Sequence, residues 1–456
     1  MRSVTGVIAL ALFVGVGAFV LSTEPMAAQG RGGAQAPAFQ VDQLWPKPLP
    51  NHWILGSVTG LAVDSTDHIW IVHRGIDSLT ARTEAGTGTT PPSAEDCCAP
   101  APPVLEFDAA GALVSHWGGP GQGFEWPVSP GGIDVDAKGN VWIAAAGAPE
   151  TTFLTLPRAG GAGAAGGAAG GAAGGGGGRG RAAAGGGAAG AAGGAAAGGG
   201  VATGGGGAAG GAAGGAAGAA GAARGAAAPD VEAQPQRGGR GNAAPPRPTD
   251  AHVLKFSRTG QFLLQIGKAG QPGAKDSQTG LDHPADVAVD SAANEVYVAD
   301  GGENQRIVVF DANTGAFKRQ WTGHGTAFGR LSCVALSKDG QVYVCDRKND
   351  RIQVFKKDGT FVKEGFVSKA TTMHGSVWDI AFSSDAAQRY LFVADGQDEK
   401  VFTLDRTSLD TLSSFGDGGG LPGAFRLVGS VGMDSKGNLY TGETFEGKRV
   451  QKFVKK

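Results

Sequence analysis

Seven side chains of this 456-residue sequence have chemistry suited to a binding or catalytic site. Arginine carries a planar guanidinium group whose paired N–H donors match a carboxylate. Aspartate and glutamate accept hydrogen bonds or coordinate hard cations such as calcium. The seven candidates are His73, Arg74, Asp286, Arg347, Trp378, Asp379 and Glu443. Their function depends on the elements that position them, which the rest of the sequence must supply.

The composition excludes one class of partner. Lys and Arg number 39 and Asp and Glu 41, which gives a net charge of −2. No strong overall field therefore draws the chain to nucleic acid or to an anionic membrane. We expect no nucleic-acid partner, and because nothing in the sequence indicates oligomerisation, we expect a monomer.

The first 28 residues have the layout of a secretory signal. Arg2 precedes an apolar run from Val7 to Leu21, and Ala27 and Ala28 offer a small-residue cleavage point. Residues 1–28 are predicted to be a signal peptide, with an uncleaved N-terminal anchor as the alternative. The protein is therefore expected in an extracytoplasmic location, periplasmic or secreted. No later stretch approaches the roughly 18 apolar residues needed to cross a bilayer.

A long segment in the first half of the chain has low complexity. Residues 149–249 are rich in Gly and Ala with scattered Arg and, at the end, Pro. Interleaved glycine disfavours helix by about 1 kcal/mol per position, and large apolar side chains that would offset the ordering entropy are missing. The pattern predicts a disordered loop. Its Gly-Arg-Gly contexts resemble RNA-binding segments, but the expected export favours a solvated linker.

Outside that segment, a pattern of four short apolar stretches separated by turns recurs six times. The last three copies begin 46 to 51 residues after their predecessors, which suits one four-stranded propeller blade per copy. The first stretches of the six copies are TGLAVD (59–64), GGIDVD (131–136), ADVAVD (285–290), SCVALS (332–337), WDIAFS (378–383) and GSVGMD (429–434).

The sixth copy ends after its third strand, RVQKFV, and so lacks a fourth. The segment Phe39 to Leu44 has strand periodicity and precedes the first copy, so it can supply the missing strand and close the ring. The sequence therefore predicts an all-β, six-bladed β-propeller over residues 38–456. The insertions Thr80 to Pro103 and Pro149 to Thr249 join second to third strands, which places both on one face of the ring. Function is expected on the loops of that face.

The copies resemble NHL repeats, and within that superfamily they resemble peptidyl-α-hydroxyglycine α-amidating lyase. Three segments carry the likeness: 58–75, with VTGLAVD and IWIVHRG; 283–310, with HPADVAVD and VYVADG; and 334–355, with VYVCDRKNDRIQVF. The resemblance implies a zinc-dependent lyase that cleaves a carbinolamide to a peptide amide and glyoxylate. It also implies an arginine that grips the substrate and a tyrosine near the reacting hydroxyl.

The site implied by this resemblance is only partly present. The arginine in its His-Arg-Gly context falls on Arg74, the one tentative catalytic assignment. The three zinc-ligating histidines fall on Gly131, Ser332 and Gly429, and the tyrosine falls on Gly302. Since zinc needs nitrogen, sulfur or carboxylate ligands, no metal site is predicted at these positions. A rearranged zinc site using His283 or His374 and a structural calcium at Asp286 and Asp379 are the remaining alternatives.

Repetition separates structural residues from functional ones. Asp300, Asp346 and Asp395 end second strands, and Arg306, Arg351 and Lys400 open the following strands, so these pairs are expected to brace each hairpin. The exceptions receive the functional interpretation. His73 and Arg74, Arg347 where other copies have glycine, Trp378 at an otherwise small channel-mouth position, and Glu443 are the unrepeated candidates.

Two functions follow from this sequence. The first is a propeller of lyase-like ancestry without catalysis, which binds a peptide, a small molecule or a protein partner on the loop face near the central channel. The second is an active carbon–nitrogen lyase of the amidating type, with Arg74 gripping a substrate carboxylate. We favour the first, because the lyase chemistry needs a metal and the sequence offers no evident set of ligands.

Overall fold

The computed structural model describes residues 36–79, 98–147 and 250–456. These residues form six four-stranded antiparallel sheets, each of them one blade of a β-propeller. The first strands of successive blades contact one another in a closed circuit, and the last blade contacts the first. The predicted all-β, six-bladed ring is confirmed.

The chain opens with β1 (Phe39–Asp42) and β2 (Trp53–Ile54). Blade 1 contains β3 (Val58–Val63), β4 (Ile69–His73), β6 (Val104–Phe107) and β7 (Leu113–Trp117), with β5 (Ala99–Pro100) paired to β2. Blade 2 contains β8 (Pro130–Val135), β9 (Val141–Ala145), β10 (His252–Phe256) and β11 (Phe262–Gly267). Blade 3 contains β12 (Pro284–Asp290), β13 (Glu295–Asp300), β14 (Arg306–Asp311) and β15 (Phe317–Trp321).

The remaining blades follow the same order. Blade 4 contains β16 (Leu331–Leu336), β17 (Gln341–Asp346), β18 (Arg351–Lys356) and β19 (Phe361–Phe366). Blade 5 contains β20 (Asp379–Phe382), β21 (Tyr390–Asp395), β22 (Lys400–Asp405) and β23 (Thr411–Phe415). Blade 6 contains β24 (Val428–Met433), β25 (Leu439–Glu443) and β26 (Arg449–Lys455), with β1 as its outer strand. Two 3-10 turns, Gly75–Ser78 and Arg347–Asn349, follow the second strands of blades 1 and 4.

The ring closes through the N-terminal strand, as the incomplete sixth copy predicts. β1 pairs antiparallel with β26, with Phe39 opposite Lys455 and Asp42 opposite Lys452. Phe39 also packs against Phe392 and Phe415 of blade 5, with ring centroids 5.4 and 5.5 Å apart. The closing strand therefore joins the last blade to its neighbour by side-chain packing as well as by backbone hydrogen bonds.

Packing between blades explains the sequence pattern of the strands. An aromatic ring stands at the same register position of the second strand in every blade, and all six are fully buried: Trp70, Trp142, Tyr297, Tyr343, Phe392 and Tyr440. Outer strands alternate half-buried and exposed residues, as β15 does, because only one of their faces meets a neighbouring blade. In blade 4, Cys333 lies opposite Cys345 and the two form a disulfide.

The first strands surround a central channel whose cavity volume is about 500 Å³. The channel mouth is approached by the loops that lead into each first strand, which we call lead-in loops, and by the connections between second and third strands. The chain leaves β9 at Ala145 and returns at His252 in β10, so the predicted insertion site in blade 2 is correct. The predicted signal at 1–28 and the 149–249 segment itself lie outside the described residues.

No helix in the described ranges is long and apolar enough to span a membrane.

Deletion of residues 1–45 should destabilise the entire ring. It removes the strand paired with β26 and the buried Trp45, which packs on Phe107 and Tyr440. Loss of buried aromatic packing typically costs about 3–5 kcal/mol per ring, so the melting temperature should fall by several degrees. The matched control is deletion of residues 1–35, which keeps both groups and should leave the melting temperature unchanged. Equal stability of the two deletions would refute closure by β1.

Candidate functional site

The second strands end in carboxylates that hold the lead-in loops. Asp300 accepts hydrogen bonds from the Nε of Arg306 at 2.9 Å and from the backbone N–H of Asp282 at 2.6 Å. Arg306 in turn donates to the carbonyl oxygens of Lys275, Ser277 and Gly280. Both side chains are fully buried. We call this carboxylate–arginine–loop arrangement the blade brace.

Blade 4 repeats the brace, since the Nε of Arg351 donates to Asp346 at 2.8 Å. Blade 6 also has it, with Glu443 as the acid. Glu443 accepts from the Nε of Arg449 at 2.5 Å, from the side chain of Gln451 and from the backbone N–H of Arg426. Glu443 thus has the structural environment expected for Asp300, and its observed basic partner is Arg449.

His73 ends the second strand of blade 1 and is fully buried. Its Nδ1 accepts hydrogen bonds from the backbone N–H groups of Gly56 and Gly75, and its Nε2 lies 2.9 Å from the carbonyl oxygen of Pro102. Two donors on Nδ1 require the neutral tautomer protonated at Nε2. Burial lowers the pKa of His73 to about 4. The imidazole is therefore engaged in fixing the loops beside Arg74.

Arg74 and Arg347 occupy equivalent positions in opposite blades. Each directly follows its second strand, and each backbone N–H donates to the residue before the first strand, Ser57 at 3.0 Å and Arg330 at 2.9 Å respectively. The same backbone bond recurs at Ala146, Gly301 and Thr444. Blades 1 and 4 are three steps apart in a ring of six, so the two arginines lie on opposite sides of the channel axis.

Arg347 is a buried cation with unusual surroundings. Its side chain lies over the indole of Trp378, with the guanidinium carbon 4.2 Å from the ring centroid, and the residue is only 8% exposed. Its buried Nε has no hydrogen-bond partner, and no carboxylate pairs with its guanidinium among the described residues. Trp378 lines the channel and donates its indole N–H to the carbonyl of Gly375 at 2.9 Å. The guanidinium is therefore held at the channel mouth by aromatic stacking.

Two further basic residues lie close to Arg347. Burial and the positive charge of Arg330 lower the pKa of Arg347 to about 9, so the group remains charged at neutral pH. Burial, together with the charges of Arg347 and Arg330, also lowers the pKa of His374. Gly375 adopts φ of 75°, and a Cβ there would collide with the carbonyl of Arg347, so glycine is needed to bring this loop against the arginine. The mouth beside blade 4 is thus a cationic cluster.

The channel wall carries three carboxylates. Asp286 accepts a hydrogen bond from the backbone N–H of Val334 at 2.9 Å, and Asp379 accepts one from Val431 at 2.8 Å. The third, Asp134, accepts one from Val289 at 2.7 Å. Each bond joins a first strand to the first strand of the next blade. Asp286 and Asp379 therefore each hold the first strand of the next blade through its backbone amide.

Burial raises the pKa of these groups. The pKa of Asp134 is raised to about 6 and the pKa of Asp379 to about 7. The pKa of Asp286 lies well above its usual range because of burial and, next, the charge of Asp379. Near pH 7 the channel is accordingly less anionic than its composition suggests.

The residues at the positions implied for zinc do not fit that metal. A Cβ at Gly131 would lie 2.5 Å from the carbonyl oxygen of Ala285, so this position has no room for a side chain. Ser332 donates its hydroxyl to the carbonyl of Val377, and Gly429 offers no ligand atom. The tyrosine position, Gly302, is blocked by Asp282, 2.5 Å from a Cβ placed there. His283 is bound to Asp282 instead.

One group of three potential metal ligands occurs on the opposite face of blade 1. Donor atoms of Asp64, His68 and Glu106 lie within 4.8 Å of one another. The Nη2 of Arg258 already contacts all three, at 3.2 Å from Asp64 and 3.0 Å from His68, and also bonds Glu106. The guanidinium thus neutralises this group.

Sequence reasoning identified Arg74, Arg347 and Trp378 but missed Arg330, His374 as a member of a cationic cluster, and Asp134. Arg330 lies in the lead-in loop directly before β16. The lead-in loops of the six copies differ in sequence, so the repeat pattern does not single out this residue. Asp134 lies opposite Trp142, in the same register that pairs Ala288 with Tyr297, so it occupies a channel position where the other copies carry Ala or Gly. A carboxylate at a position that is otherwise Ala or Gly is the sequence signal that could have identified it.

The NHL repeat family matches residues 281–310 and 328–355. The chain is 41% identical over 197 residues to peptidyl-glycine alpha-amidating monooxygenase B of Xenopus laevis, covering 40% of this chain and 21% of that protein. It is 30% identical over 167 residues to NHL repeat-containing protein 3 of Mus musculus, covering 35% and 44% respectively. The matches thus span less than half the length of either relative. They confirm the predicted NHL repeats and the resemblance to amidating enzymes.

Among solved structures, the virginiamycin B lyase of Staphylococcus aureus is similar with a TM-score of 0.40 and 10% identity, covering 86% of this chain and 80% of that one. That likeness is too weak to bear on function.

Asp379→Asn should remove a pH dependence of stability. The folded-state pKa of Asp379 is raised from 3.8 to about 7, so its contribution to stability is complete below pH 3.8 and is lost as the pH rises through 7. Asparagine removes the charge and keeps an oxygen for the Val431 amide, and it gives up the second hydrogen bond, from the Ile380 amide. The variant should be more stable than the wild type at pH 8, by on the order of 1–3 kcal/mol, and should lose this advantage at pH 4.5. Urea unfolding at both pH values measures this.

The exposed Asp276→Asn is the control and should be neutral at both pH values. Equal destabilisation of Asp379→Asn at pH 4.5 and pH 8 would contradict a protonated channel carboxyl.

Proposed function

We propose that this protein is an exported NHL-repeat propeller that binds a carboxylate-bearing ligand at the channel mouth, without amidating-lyase catalysis. The ligand is a peptide with a free C-terminus or a small carboxylic acid. Arg347 and Arg74 are the residues that recognise it, and Trp378 forms the flat surface beside Arg347. Asp286 and Asp379 stand below the mouth in the channel wall.

The observation that carries this proposal is the state of Arg347. The buried arginines of the brace, Arg306, Arg351 and Arg449, are each paired with a carboxylate. Arg347 is equally buried, stands beside another cation and has no acid among the described residues. A buried unpaired charge costs several kcal/mol, and this cost is recovered when an anion binds.

The geometry favours a carboxylate over other anions. Guanidinium binds a carboxylate through two parallel N–H donors, and desolvation at the mouth strengthens such bonds. Arg74 stands at the equivalent position across the channel, so a ligand with a carboxylate at one end and a polar backbone can contact both sides of the mouth. The relatives named as peptidyl-glycine alpha-amidating enzymes act, by their name, on peptides that end in glycine, which supports a peptide as the ligand class.

An active amidating-type lyase is the alternative function. It is favoured by the His73-Arg74-Gly75 match and by the similarity to amidating monooxygenases, and it is disfavoured by the missing zinc ligands at the three implied positions. The test is to incubate the purified protein with an N-acyl-α-hydroxyglycine, with and without added zinc, and to measure glyoxylate. Release above the uncatalysed rate would establish the lyase and overturn the non-catalytic proposal.

Export rests on the apolar run from Val7 to Leu21 behind Arg2. Fractionation of the native host, with N-terminal sequencing of the mature chain, tests it. Recovery of the uncleaved chain in the cytoplasm would refute it.

Arg347→Met should abolish ligand selection while leaving the fold as stable as the wild type or more so. Methionine keeps the apolar contact with Trp378 and removes a buried charge that has no counterion. The probe is a library of N-acetylated peptides with randomised last three residues, prepared as free acids and as C-terminal amides. The wild type should enrich acids over amides at least tenfold, and the variant should show no preference.

A fall in melting temperature with an unchanged preference for acids would assign Arg347 a structural role. Absence of any preference in the wild type would overturn the carboxylate proposal itself.

Arg74→Ala should weaken binding of the enriched peptide acid about tenfold or more, the size expected for a lost charged hydrogen bond, with a melting temperature close to that of the wild type. Titration calorimetry measures the affinity. Arg74→Lys is the matched variant, and it should recover part of the affinity because charge is kept and the paired donors are lost. Reduced stability with unchanged affinity would show that Arg74 only supports the loops of blade 1.

A further inference from the structure

The blade brace places a cationic group at one defined position in three blades. In blades 3, 4 and 6 the Nε of Arg306, Arg351 or Arg449 donates to the acid that ends the second strand. The outer nitrogens of the same arginines donate to carbonyl oxygens of the lead-in loop. Each blade therefore uses a positive charge to tie the buried acid to its loop.

Blade 5 keeps the acid and lacks the cation. Asp395 ends the second strand and is fully buried, but its Oδ2 has no hydrogen-bond partner. Its Oδ1 accepts the backbone N–H groups of Gln397 and Asp398. The residue that opens the third strand is Lys400, which forms no ion pair within the described ranges. The brace predicted for Asp395 and Lys400 is therefore not formed.

A second acid of the same turn, Asp398, holds the lead-in loop of blade 5. Asp398 follows Asp395 by three residues and accepts hydrogen bonds from the hydroxyls of Ser368 at 2.6 Å and Thr371 at 3.1 Å. These two belong to the lead-in loop of blade 5, the segment whose carbonyls contact arginine in the sister blades. Asp350 is the third acid, and the charges of Asp398 and Asp350, after burial, raise the pKa of Asp395 to about 8.

We propose that Asp395 and Asp398 bind a calcium ion, which takes the position in blade 5 that a guanidinium holds in blades 3, 4 and 6. The lead-in loop of blade 5 supplies the remaining oxygen ligands, in the same way that lead-in carbonyls contact the guanidinium elsewhere. The ion then supplies the positive charge beside Asp395 that Lys400 does not provide. It fixes the loop that also carries His374 and Gly375 against Arg347.

The chemistry of the donors selects the ion. Carboxylate, hydroxyl and carbonyl oxygens are the ligands of hard cations, and calcium accepts six to eight of them in flexible arrangements. No histidine or cysteine stands among these donors, which disfavours zinc. Magnesium demands a compact octahedron and keeps several waters, so a site that combines a buried acid with the irregular backbone of a lead-in loop suits calcium better.

The test compares melting temperatures of the full-length protein in calcium chloride, in magnesium chloride and with a chelator. The wild type should gain about 3 °C or more in millimolar calcium over the chelated sample, and less in magnesium. Asp395→Asn removes the central ligand and should show no gain. Lys400→Arg restores the side chain that completes the brace in the sister blades, so it should be more stable than the wild type in chelator and should also lose the calcium effect.

The exposed Asp410→Asn in the same blade is the control and should keep the full calcium response. Titration calorimetry with calcium chloride should show one site fewer in Asp395→Asn than in the wild type. An unchanged calcium response in both Asp395→Asn and Lys400→Arg would overturn the proposal, as would a wild type indifferent to calcium. Loss of the response in Asp286→Asn with retention in Asp395→Asn would place the ion in the channel and equally refute it.

Discussion

The brace between a buried carboxylate and a buried arginine is the interaction on which the loop face of this propeller depends. Lead-in loops pack into the core through a few apolar side chains, such as Phe328 and Phe425, but the backbone carbonyls around these residues still need hydrogen-bond donors. A guanidinium bonded at once to the acid of the second strand and to loop carbonyls satisfies several polar groups in one buried contact. Because Arg306, Asp300 and the loop are buried together, removing either charge would leave the other without compensation.

The functional interpretation follows from where this arrangement is broken. Arg347 is a cation without its acid, and Asp395 is an acid without its cation. Both lie on the loop face, on neighbouring blades, and the lead-in loop that carries Ser376 and Trp378 passes between them. One needs an anion and the other a cation, and we assign each to an external partner. The repeat is the internal control, since the sister blades show what the same position looks like when the protein balances the charge itself.

The fold and the closure of the ring were predictable because the spacing of the repeats and the alternation of apolar residues can be read directly from the sequence. The first strands and the missing outer strand of blade 6 follow from the spacing of the repeats. The site was only partly predictable. Glu443 differs in residue type from the aspartates that end other second strands, yet its pairing with Arg449 makes it an ordinary member of a brace. The sequence predicts an ordinary brace between Asp395 and Lys400. The lysine side chain, which is shorter than arginine and lacks its forked donors, does not pair with the acid. Whether a charge is paired depends on the length and direction of individual side chains, and the spacing of the repeats carries no information on these.

The channel carboxylates extend the same reasoning to the centre of the ring. Three carboxylates, those of Asp134, Asp286 and Asp379, each accept a hydrogen bond from a backbone amide in the first strand of the next blade. These bonds join neighbouring blades around the channel, where small residues such as Gly132 offer little apolar surface for packing. Their raised pKa values mean that protonation favours the folded ring, while the cationic cluster at the mouth favours an anion above it. A ligand carboxylate would therefore bind Arg347 without facing three full negative charges below. The channel and the mouth are electrostatically compatible because burial keeps the acids partly neutral.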